Sequence, residues 1–503
     1  MKLNRENIKE ISSASGVEIP AENYFDLPEK VLQFGTGVLL RGLPDYFIDK
    51  ANKQGVFNGR VVVVKSTATG GADAFTDQDG LYTLCVRGID KGETVDKLIL
   101  NASISRVLSA ADEWAQILEC ASNPHMSVVI SNTTEVGIVL EDDDINAAPP
   151  STFPCKLLAF LYKRFQVFNG STDAGMTIVP AELITDNGKK LKEIVLEQAK
   201  RQGLEEAFID WLLSANEFCN TLVDRIVPGK LSAAERTATE AKLGYSDDLM
   251  IMSEVYSLWA IETTSAVSKE RLSFSQVDNG VILTDNISKF KELKLRLLNG
   301  SHTFTCGLAI IQGFATVKEA MKNDEFNSFI SSLMNQEIIP AIISGAISEE
   351  EARQFAASVL DRYSNPFLEH QWISITAQYS LKMKGRNLDT LKWYFEKTGK
   401  APLLMSVGFA AYLLFMRSTA NADGTYTGWL AGKKYTINDQ HAGLLHQIWQ
   451  EHNGIEVVNA VLANTTLWGE SLDLPGFAEA VYESMLSLEK KYSIQSPTSV
   501  GEA

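Results

Sequence analysis

A short strand, a glycine turn, a helix and a second strand follow one another near the start of the chain. The first strand candidate is Val31–Phe34, the turn is Gly35–Gly37, and helical sequence begins at about Leu39. The second strand candidate, Arg60–Val64, follows at the interval that a βαβ unit requires. Because a βαβ unit builds a parallel sheet with helices on its faces, this stretch predicts an α/β domain.

The glycine turn suits a dinucleotide cofactor. Glycines let the backbone approach a pyrophosphate, and the start of the following helix supplies N–H groups and positive potential. A later buried strand ends in polar residues, as expected where ligands bind in open α/β folds. The candidate cofactor-binding residues are Phe34, Gly35, Thr36, Gly37, Val38, Leu39, Lys65, Asn132 and Thr133.

The cofactor pattern is incomplete in two places. The third glycine of a G-x-G-x-x-G motif falls on Leu40. Lys65 stands where an acidic residue would bind the adenosine ribose, and a lysine there could accept a 2′-phosphate. The residues alone therefore leave NAD and NADP both open.

The pattern becomes almost wholly helical from about residue 286. We therefore predict two domains, a dinucleotide-binding domain over residues 1–285 and a mostly helical domain over residues 286–503. A length of 503 residues agrees with two domains, since single cores rarely grow that large.

Charge and cysteine content exclude several classes of partner. The net charge of −17 argues against nucleic acid and anionic membranes, although a cationic pocket could still bind an anionic substrate. No apolar run approaches the ~20 residues needed to span a bilayer. Five widely spaced cysteines with no C-x-x-C pair indicate reduced thiols in a cytoplasmic protein, and the sequence contains no metal-binding motif.

The stretch 291–304 contains an amine, an amide and an imidazole, at Lys294, Asn299 and His302. On a helix at ~100° per residue, Lys294 and His302 lie about 80° apart and Asn299 about 60° beyond His302, so all three fit one broad face. A lysine can transfer a proton, an amide N–H can stabilise an oxyanion, and a histidine can orient a hydroxyl. The alternative is an amphipathic helix whose polar residues face water.

Two further polar positions interrupt apolar sequence. Asn187 stands at the turn after a strand predicted over 175–183, where Asn-Gly is also an ordinary turn signal. Asp224 and Arg225 lie inside an apolar run, so they are either a structural ion pair or part of a site lining. Residues 272–281 look like another strand.

Together these motifs resemble the mannitol dehydrogenase family of polyol-specific long-chain dehydrogenases. The resemblance is carried by GTGVLLRG (35–42), QDGLYTL (78–84), FCNTLVDRIVP (218–228) and the spacing of Lys294, Asn299 and His302, and it extends from about residue 30 to about residue 400. It implies a Rossmann-type N-terminal domain, a mostly α-helical C-terminal domain, a site in the cleft between them, and a metal-independent reaction with NADH.

The resemblance also implies roles for individual residues. Lys294 would be the general acid and base, Asn187 and Asn299 would stabilise the carbonyl oxygen, and His302 would bind a substrate hydroxyl. The mannitol enzymes usually have Asp-Asn where this chain has Glu182-Leu183, and we take Asn187 as the second amide.

Within the family, PAELITDNG (180–188), LNGSHT (298–303) and RYSNPFLEHQW (362–372) are similar to the branch that reduces a keto-uronate. Arg362 and His370 are then candidates for binding the substrate carboxylate. Asp224 and Arg225 would shape the substrate site.

Three alternatives stay open at this point. The same chemistry could act on another substrate of the family. A non-catalytic NAD-binding protein could sense the cofactor or a sugar acid, although it would have no need of a proton donor. An interaction scaffold built on the helical half would bind no cofactor. The expected partner is a small-molecule sugar acid, and the sequence leaves open a monomer or a small homo-oligomer.

Overall fold

A computed structural model describes residues 1–12, 15–66, 73–133 and 137–494. The chain divides into two compact units. The first comprises Met1–Gly88 and Thr94–Ile287, and the second comprises Ile89–Glu93 and Ser288–Ala503. The change of unit after Ile287 lies two residues beyond the domain boundary predicted from the sequence.

The strands that begin before residue 288 belong to three sheets. They are β1 (Glu29–Phe34), β2 (Arg60–Lys65), β3 (Tyr82–Asp90), β4 (Glu93–Asn101), β5 (Ile104–Ser109), β6 (Val128–Ser131), β7 (Thr177–Pro180), β8 (Glu217–Phe218), β9 (Thr221–Asp224), β10 (Ile251–Glu254), β11 (Leu258–Glu262) and β12 (Val281–Thr284). The largest sheet has the order β5-β2-β1-β6-β7-β8, and all its paired strands are parallel. Two three-stranded sheets have the orders β10-β3-β4 and β12-β11-β9.

Both faces of the six-stranded sheet are covered. In β2, Val61 and Val63 pack into one hydrophobic cluster, while Val62 and Val64 pack into another. This two-sided burial explains why β2 is an unbroken apolar run, as is usual in parallel sheets. The predicted α/β class is confirmed.

Helices surround the sheets of the first unit. They are α1 (Val38–Gly42), α2 (Pro44–Lys53), α3 (Asp73–Asp77), α4 (Ala110–Glu119), α5 (Phe153–Val167), α6 (Asn187–Arg201), α7 (Glu206–Ser214), α8 (Ala233–Leu243) and α9 (Ala266–Arg271). The strand predicted over 272–281 is wrong. Residues Ser273–Gln276 form a 3₁₀ turn and β12 starts only at Val281. Leu272 and Phe274 are buried at alternate positions, as in a strand, but the backbone there forms a turn.

The second unit is mostly helical, as predicted. Its α-helices are α10 (Ser288–Leu293), α11 (Ser301–Ile311), α12 (Val317–Met321), α13 (Asp324–Ser332), α14 (Ile339–Ile342), α15 (Glu349–Tyr363), α16 (Trp372–Ile375), α17 (Tyr379–Lys382), α18 (Leu388–Thr398), α19 (Leu403–Met416), α20 (Ala442–Glu451), α21 (Ile455–Leu462), α22 (Thr465–Trp468) and α23 (Phe477–Tyr492). Over residues 288–494, three π-helical segments interrupt them, at Lys294–Gly300, Leu333–Ile338 and Met383–Asn387. A small sheet contains β13 (Ser418–Ala420), β14 (Tyr426–Leu430) and β15 (Lys433–Thr436).

Helix α19 is the centre of the second unit, since it is buried on nearly every side. It packs closely against α11 through two glycines. A Cβ at Gly307 would lie 2.9 Å from the main-chain oxygen of Ala411, and one at Gly408 would lie 2.8 Å from that of Phe304. This close packing fixes α11, which carries His302.

A short segment from early in the chain also belongs to the second unit. The main-chain N–H groups of Lys91 and Gly92 donate hydrogen bonds of 2.8 and 3.3 Å to the carboxylate of Asp361 on α15. Within the described residues, no helix has the length and apolar character needed to cross a bilayer.

Candidate active site

The strand order of the main sheet reverses between β1 and β6, which is where open α/β folds bind ligands. Phe34 is the last residue of β1 and Ser131 is the last of β6. Gly35 and Asn132 are the residues that follow these two strands. The main-chain N–H of Asn132 donates a hydrogen bond of 3.2 Å to the main-chain oxygen of Phe34, so the two strand ends lie side by side. The predicted cofactor turn therefore lies at the switch point of the sheet.

Gly35 has a conformation and a setting that only glycine fits. Its φ is +127°, and a Cβ would lie 2.9 Å from Leu40 Cδ1 and 3.2 Å from Asn132 O. Gly37, the residue before α1, is exposed and has an ordinary φ of −61°. The open backbone at this turn fits the close approach of a dinucleotide pyrophosphate. The half-buried side chains of Thr36, Val38 and Leu39 border it.

The polar residues after β6 are tied to the end of β7. Asn132 Nδ2 donates to Ala181 O at 2.8 Å. The carboxylate of Glu182 accepts bonds from Thr133 N at 2.9 Å, from Thr133 Oγ1 at 3.0 Å and from Ser131 Oγ at 3.0 Å. Burial raises the pKa of Glu182, and these hydrogen bonds oppose the shift. Glu182 thus shapes the switch point, a role that the sequence did not reveal.

Lys65 is half-buried as the last residue of β2, next to β1 in the sheet. This is the strand end at which a ribose or its 2′-phosphate would be recognised. Ser66 follows it, and residues 67–72 lie outside the described residues.

Asn187 is the first residue of α6 and is only 1% exposed. Its Nδ2 donates to Pro180 O at 3.1 Å and Glu182 O at 3.0 Å, with Thr221 Oγ1 at 3.2 Å. Its Oδ1 accepts from the main-chain N–H groups of Gly188 and Thr221, both at 2.9 Å. Both amide hydrogens are therefore engaged within the first unit, and donation to a substrate would require these bonds to break.

Asp224 and Arg225 are both buried at the end of β9. The guanidinium of Arg225 donates to Glu254 O at 3.0 Å and to Gly42 O at 2.6 Å. It also lies 4.5 Å from the ring centre of Tyr46. Through these two hydrogen bonds, Arg225 connects the end of α1 to the end of β10, which is a structural role.

In the second unit, Lys294 and Asn299 lie in a π-helical segment and not in a regular α-helix. An α-helix would separate residues five apart by about 140°. In a π turn the hydrogen bonds run from i to i+5, so such residues lie about one turn apart and face more nearly the same way. Both side chains are half-buried, and that of Asn299 makes no hydrogen bond with any described residue.

His302, on the first turn of α11, is 8% exposed, and its Nε2 is buried with no hydrogen-bond partner among the described residues. Its ring stacks on Tyr363, with centres 4.0 Å apart. The Tyr363 hydroxyl donates to Leu298 O at 2.7 Å and shares a 2.9 Å bond with Ser301 Oγ. The imidazole is therefore held by packing, while one ring nitrogen stays available.

Burial holds the pKa of His302 well below its ordinary value, so the ring is neutral at pH 7. Electrostatic interactions with His370, Arg362, Arg386 and Lys382 lower this pKa further. A neutral imidazole can donate or accept a hydrogen bond, which suits a substrate hydroxyl.

The predicted carboxylate-binding residues lie beside this histidine. Arg362 is buried on the last turn of α15, and the His370 ring meets the His302 ring edge-on at 5.4 Å. Lys382 and Arg386 also lie near His302, and neither is among the residues predicted from the sequence. Their local signal in the sequence is a spacing of four residues, which places both on one face of a helix.

Among the described residues, no group of three or more His, Cys, Asp or Glu side chains could hold a metal ion. All five cysteines are buried and free. The residues predicted to carry the chemistry are Lys294, Asn299 and His302 in the second unit, and the residues predicted to hold the cofactor lie at the glycine turn in the first.

Comparisons with known proteins identify the family. The family model described as the mannitol dehydrogenase Rossmann domain matches residues 29–274, and the mannitol dehydrogenase C-terminal domain matches residues 286–489. The altronate oxidoreductase of Bacillus subtilis is 37% identical over 466 residues, which cover 92% of each chain.

Two solved structures share the fold. A ternary complex of Pseudomonas fluorescens mannitol 2-dehydrogenase with NAD and D-mannitol is 21% identical, with a TM-score of 0.65 and all of both chains covered. A substrate-free D-sorbitol dehydrogenase is 20% identical, with a TM-score of 0.77, covering 97% of this chain and 99% of that one.

The predicted family, fold class and enzyme class are confirmed by these matches. The chain belongs to the mannitol dehydrogenase family, whose members are NAD-dependent oxidoreductases that act on CH–OH groups.

Proposed function

We propose that this protein catalyses the reversible, NADH-dependent reduction of D-tagaturonate to D-altronate, in the breakdown of galacturonate. The observation that carries the proposal is the placement of Lys294 and Asn299 in one π-helical segment that leads into α11, where the buried Nε2 of His302 has no hydrogen-bond partner among the described residues. The similarity to altronate oxidoreductase supports a sugar acid as the substrate. The cationic side chains around His302 suit an anionic substrate in a protein whose net charge is −17.

Bound NADH supplies a hydride to the ketone carbon of the substrate. As the new C–H bond forms, the C=O π bond breaks and negative charge grows on the oxygen. Lys294 delivers the proton that completes the alcohol, and in the reverse direction the neutral amine removes that proton. Asn299 Nδ2 donates a hydrogen bond to the same oxygen, which stabilises the transition state. His302 Nε2 binds a substrate hydroxyl.

We assign Asn187 a positioning role in this reaction, because its amide hydrogens already bind main-chain oxygens. It connects the end of β7 to the start of α6 and to Thr221. Through Glu182, this connection supports the residues after β6, which are our candidates for cofactor binding.

The test is the loss of nicotinamide absorbance with purified protein and tagaturonate, fructuronate or fructose as substrate. We expect tagaturonate to give the highest kcat/KM. Lys294→Ala should lower kcat by about 100- to 10,000-fold, the usual contribution of a general acid. Lys322→Ala, which removes an exposed lysine of the same unit, is the matched control and should leave kcat unchanged.

Other outcomes would select other functions. Preference for fructuronate or fructose would retain the lysine mechanism but reject the substrate. Binding of NADH without turnover of any of the three would favour a sensor of cofactor or sugar acid. A failure to bind NADH would contradict both the enzyme and the sensor.

A further inference from the structure

We propose that Arg386, together with Lys382, binds the carboxylate of the sugar-acid substrate. This inference rests on the proposed function and extends it, since it names the residues that would separate a uronate from a neutral ketose. It differs from the sequence-based expectation, which selected Arg362 and His370.

Arg386 lies directly against the stretch that carries Asn299 and His302. Its Nη1 donates to Thr303 Oγ1 at 3.2 Å and to Asn299 O at 3.5 Å. These two bonds fix the guanidinium but use only one of its three nitrogens. The remaining donors of Arg386 make no hydrogen bond with any described residue. A fixed guanidinium with donors to spare is the usual receptor for a carboxylate.

Lys382 provides a second positive charge four residues earlier. Its Nζ donates to Ile375 O at 2.8 Å, which leaves two of its three N–H groups for other acceptors. Burial lowers the pKa of Lys382, and the positive charge of Arg386 lowers it further. The two cations are therefore close enough to repel each other.

Neither cation has an anionic partner in the described part of the chain. No carboxylate oxygen of a described residue lies within 4.0 Å of a side-chain nitrogen of Lys382 or Arg386. Two half-buried cations without a counterion are costly, and a bound anion would offset both their desolvation and their repulsion.

Arg296 shows the contrasting arrangement in the same unit. Its guanidinium donates to Glu292 at 2.9 Å and to Asp389 at 2.8 Å, and it also donates to the main-chain oxygen of Arg386 at 2.9 Å. Arg296 is thus neutralised within the protein, whereas Arg386 is not.

The buried Nε2 of His302 provides independent support. It has no hydrogen-bond partner among the described residues. Arg386 and Lys382 are near enough to this ring for their charges to lower its pKa. A sugar acid offers a carboxylate for the cations and a hydroxyl for the imidazole. One sugar acid could therefore provide both a counterion for the two cations and a hydrogen-bond partner for His302 Nε2.

The experiment compares two ligands that differ only in the charged group, D-tagaturonate and D-tagatose. Steady-state KM and kcat are measured for wild type, Arg386→Gln, Lys382→Gln and Lys384→Gln. Tagatose is followed as a substrate or, where it is not turned over, as a competitive inhibitor. Lys384 is the matched control, since it lies between the two cations in sequence and about 160° around the helix from each.

We expect Arg386→Gln to raise the KM for tagaturonate about 10- to 100-fold, as for the loss of charge-assisted hydrogen bonds. Lys382→Gln should raise it by a smaller factor, and Lys384→Gln should change it less than about 2-fold. The affinity for tagatose should stay within about 3-fold in all variants, because tagatose lacks the carboxylate.

An unchanged KM for tagaturonate in Arg386→Gln, or an equal loss for both ligands, would overturn the inference while leaving the proposed function intact. If wild type reduces no uronate, the proposed function fails and this inference fails with it. Circular dichroism shows whether each variant folds. Should Arg386→Gln not fold, Lys382→Gln decides, and an unchanged tagaturonate KM in that variant overturns the inference.

Discussion

Asn187 in the first unit and Asn299 in the second are both asparagines that the sequence places at a site, yet their surroundings differ. The amide of Asn187 is buried and bonded at both its nitrogen and its oxygen. The amide of Asn299 is half-buried and makes no hydrogen bond with a described residue. A saturated amide stabilises the fold, whereas an unsaturated one is available to a ligand.

The same contrast separates Arg296 from Arg386. Arg296 is compensated by two carboxylates, and Arg386 by none within the described residues. Asn299 and Arg386, which have side-chain donors without partners among the described residues, both lie near His302. Unmatched polar groups therefore mark the ligand-facing part of the second unit.

The largest effect should come from Asn187→Ala. It removes partners from the buried N–H groups of Gly188 and Thr221 and from two carbonyls, so we expect the free energy of unfolding to fall by about 3 kcal/mol or more. Urea unfolding measures this. Asn299→Ala is the matched control and should change stability by less than about 1 kcal/mol while lowering kcat. Equal losses in the two variants would contradict the comparison.

Arg296→Met should lower the free energy of unfolding by about 2 kcal/mol, because two partly exposed carboxylates lose their partner. Arg386→Met removes an uncompensated cation and should leave stability unchanged or slightly higher. Thermal unfolding of the two variants side by side tests this difference. A larger loss in Arg386→Met would show that the cation stabilises the fold.

The neutral state of His302 should make stability depend on pH. The pKa of His302 is depressed in the folded protein, while the unfolded chain has a histidine pKa of about 6.5. Below about pH 6.5 the unfolded chain therefore binds a proton that the folded protein does not, and stability falls as pH falls. The contribution is at most about 1.4 kcal/mol per pH unit.

Urea titrations between pH 5 and pH 8 would compare wild type with His302→Gln. The variant should lose part of the slope below pH 6.5 and none of the slope above it. Identical slopes would mean that the pKa of His302 is not depressed in the folded protein.

The smallest expected effect concerns the glycine turn. Gly35→Ala should cost about 1 kcal/mol of stability and weaken NADH binding, because of the positive φ and the contacts with Leu40 and Asn132. Gly37→Ala, with an ordinary φ and nothing within 4 Å of the added Cβ, should cost little stability. Nicotinamide fluorescence measures the binding. Equal effects at the two glycines would mean that close backbone approach is not needed at Gly35.

The parts of the fold with local signals were predictable. The strand, glycine turn and helix at 31–42 follow from the hydrophobic pattern and the glycine spacing. Lys294 and Asn299 lie in one helical segment, as predicted, although that segment is a π-helix and not the expected α-helix. The strand predicted over 272–281 failed because a short apolar run does not distinguish a buried turn from a strand.

Residues that depend on distant contacts could not be predicted. Arg386 is 84 residues from His302 in sequence, and only tertiary packing brings the two together. Glu182 looked like an ordinary strand end, since its partners Ser131 and Thr133 come from another strand. Whether an asparagine is saturated, which separates Asn187 from Asn299, also depends on neighbours that spacing does not reveal.

The bonds from Lys91 and Gly92 to Asp361 have a consequence for dissecting the protein. The helical unit is assembled from two stretches of chain, so a gene fragment that starts at Ser288 would omit one of them. Asp361, the residue before Arg362, would then lose two donors. A chimaera that exchanges this unit between relatives should therefore also transplant residues 89–93.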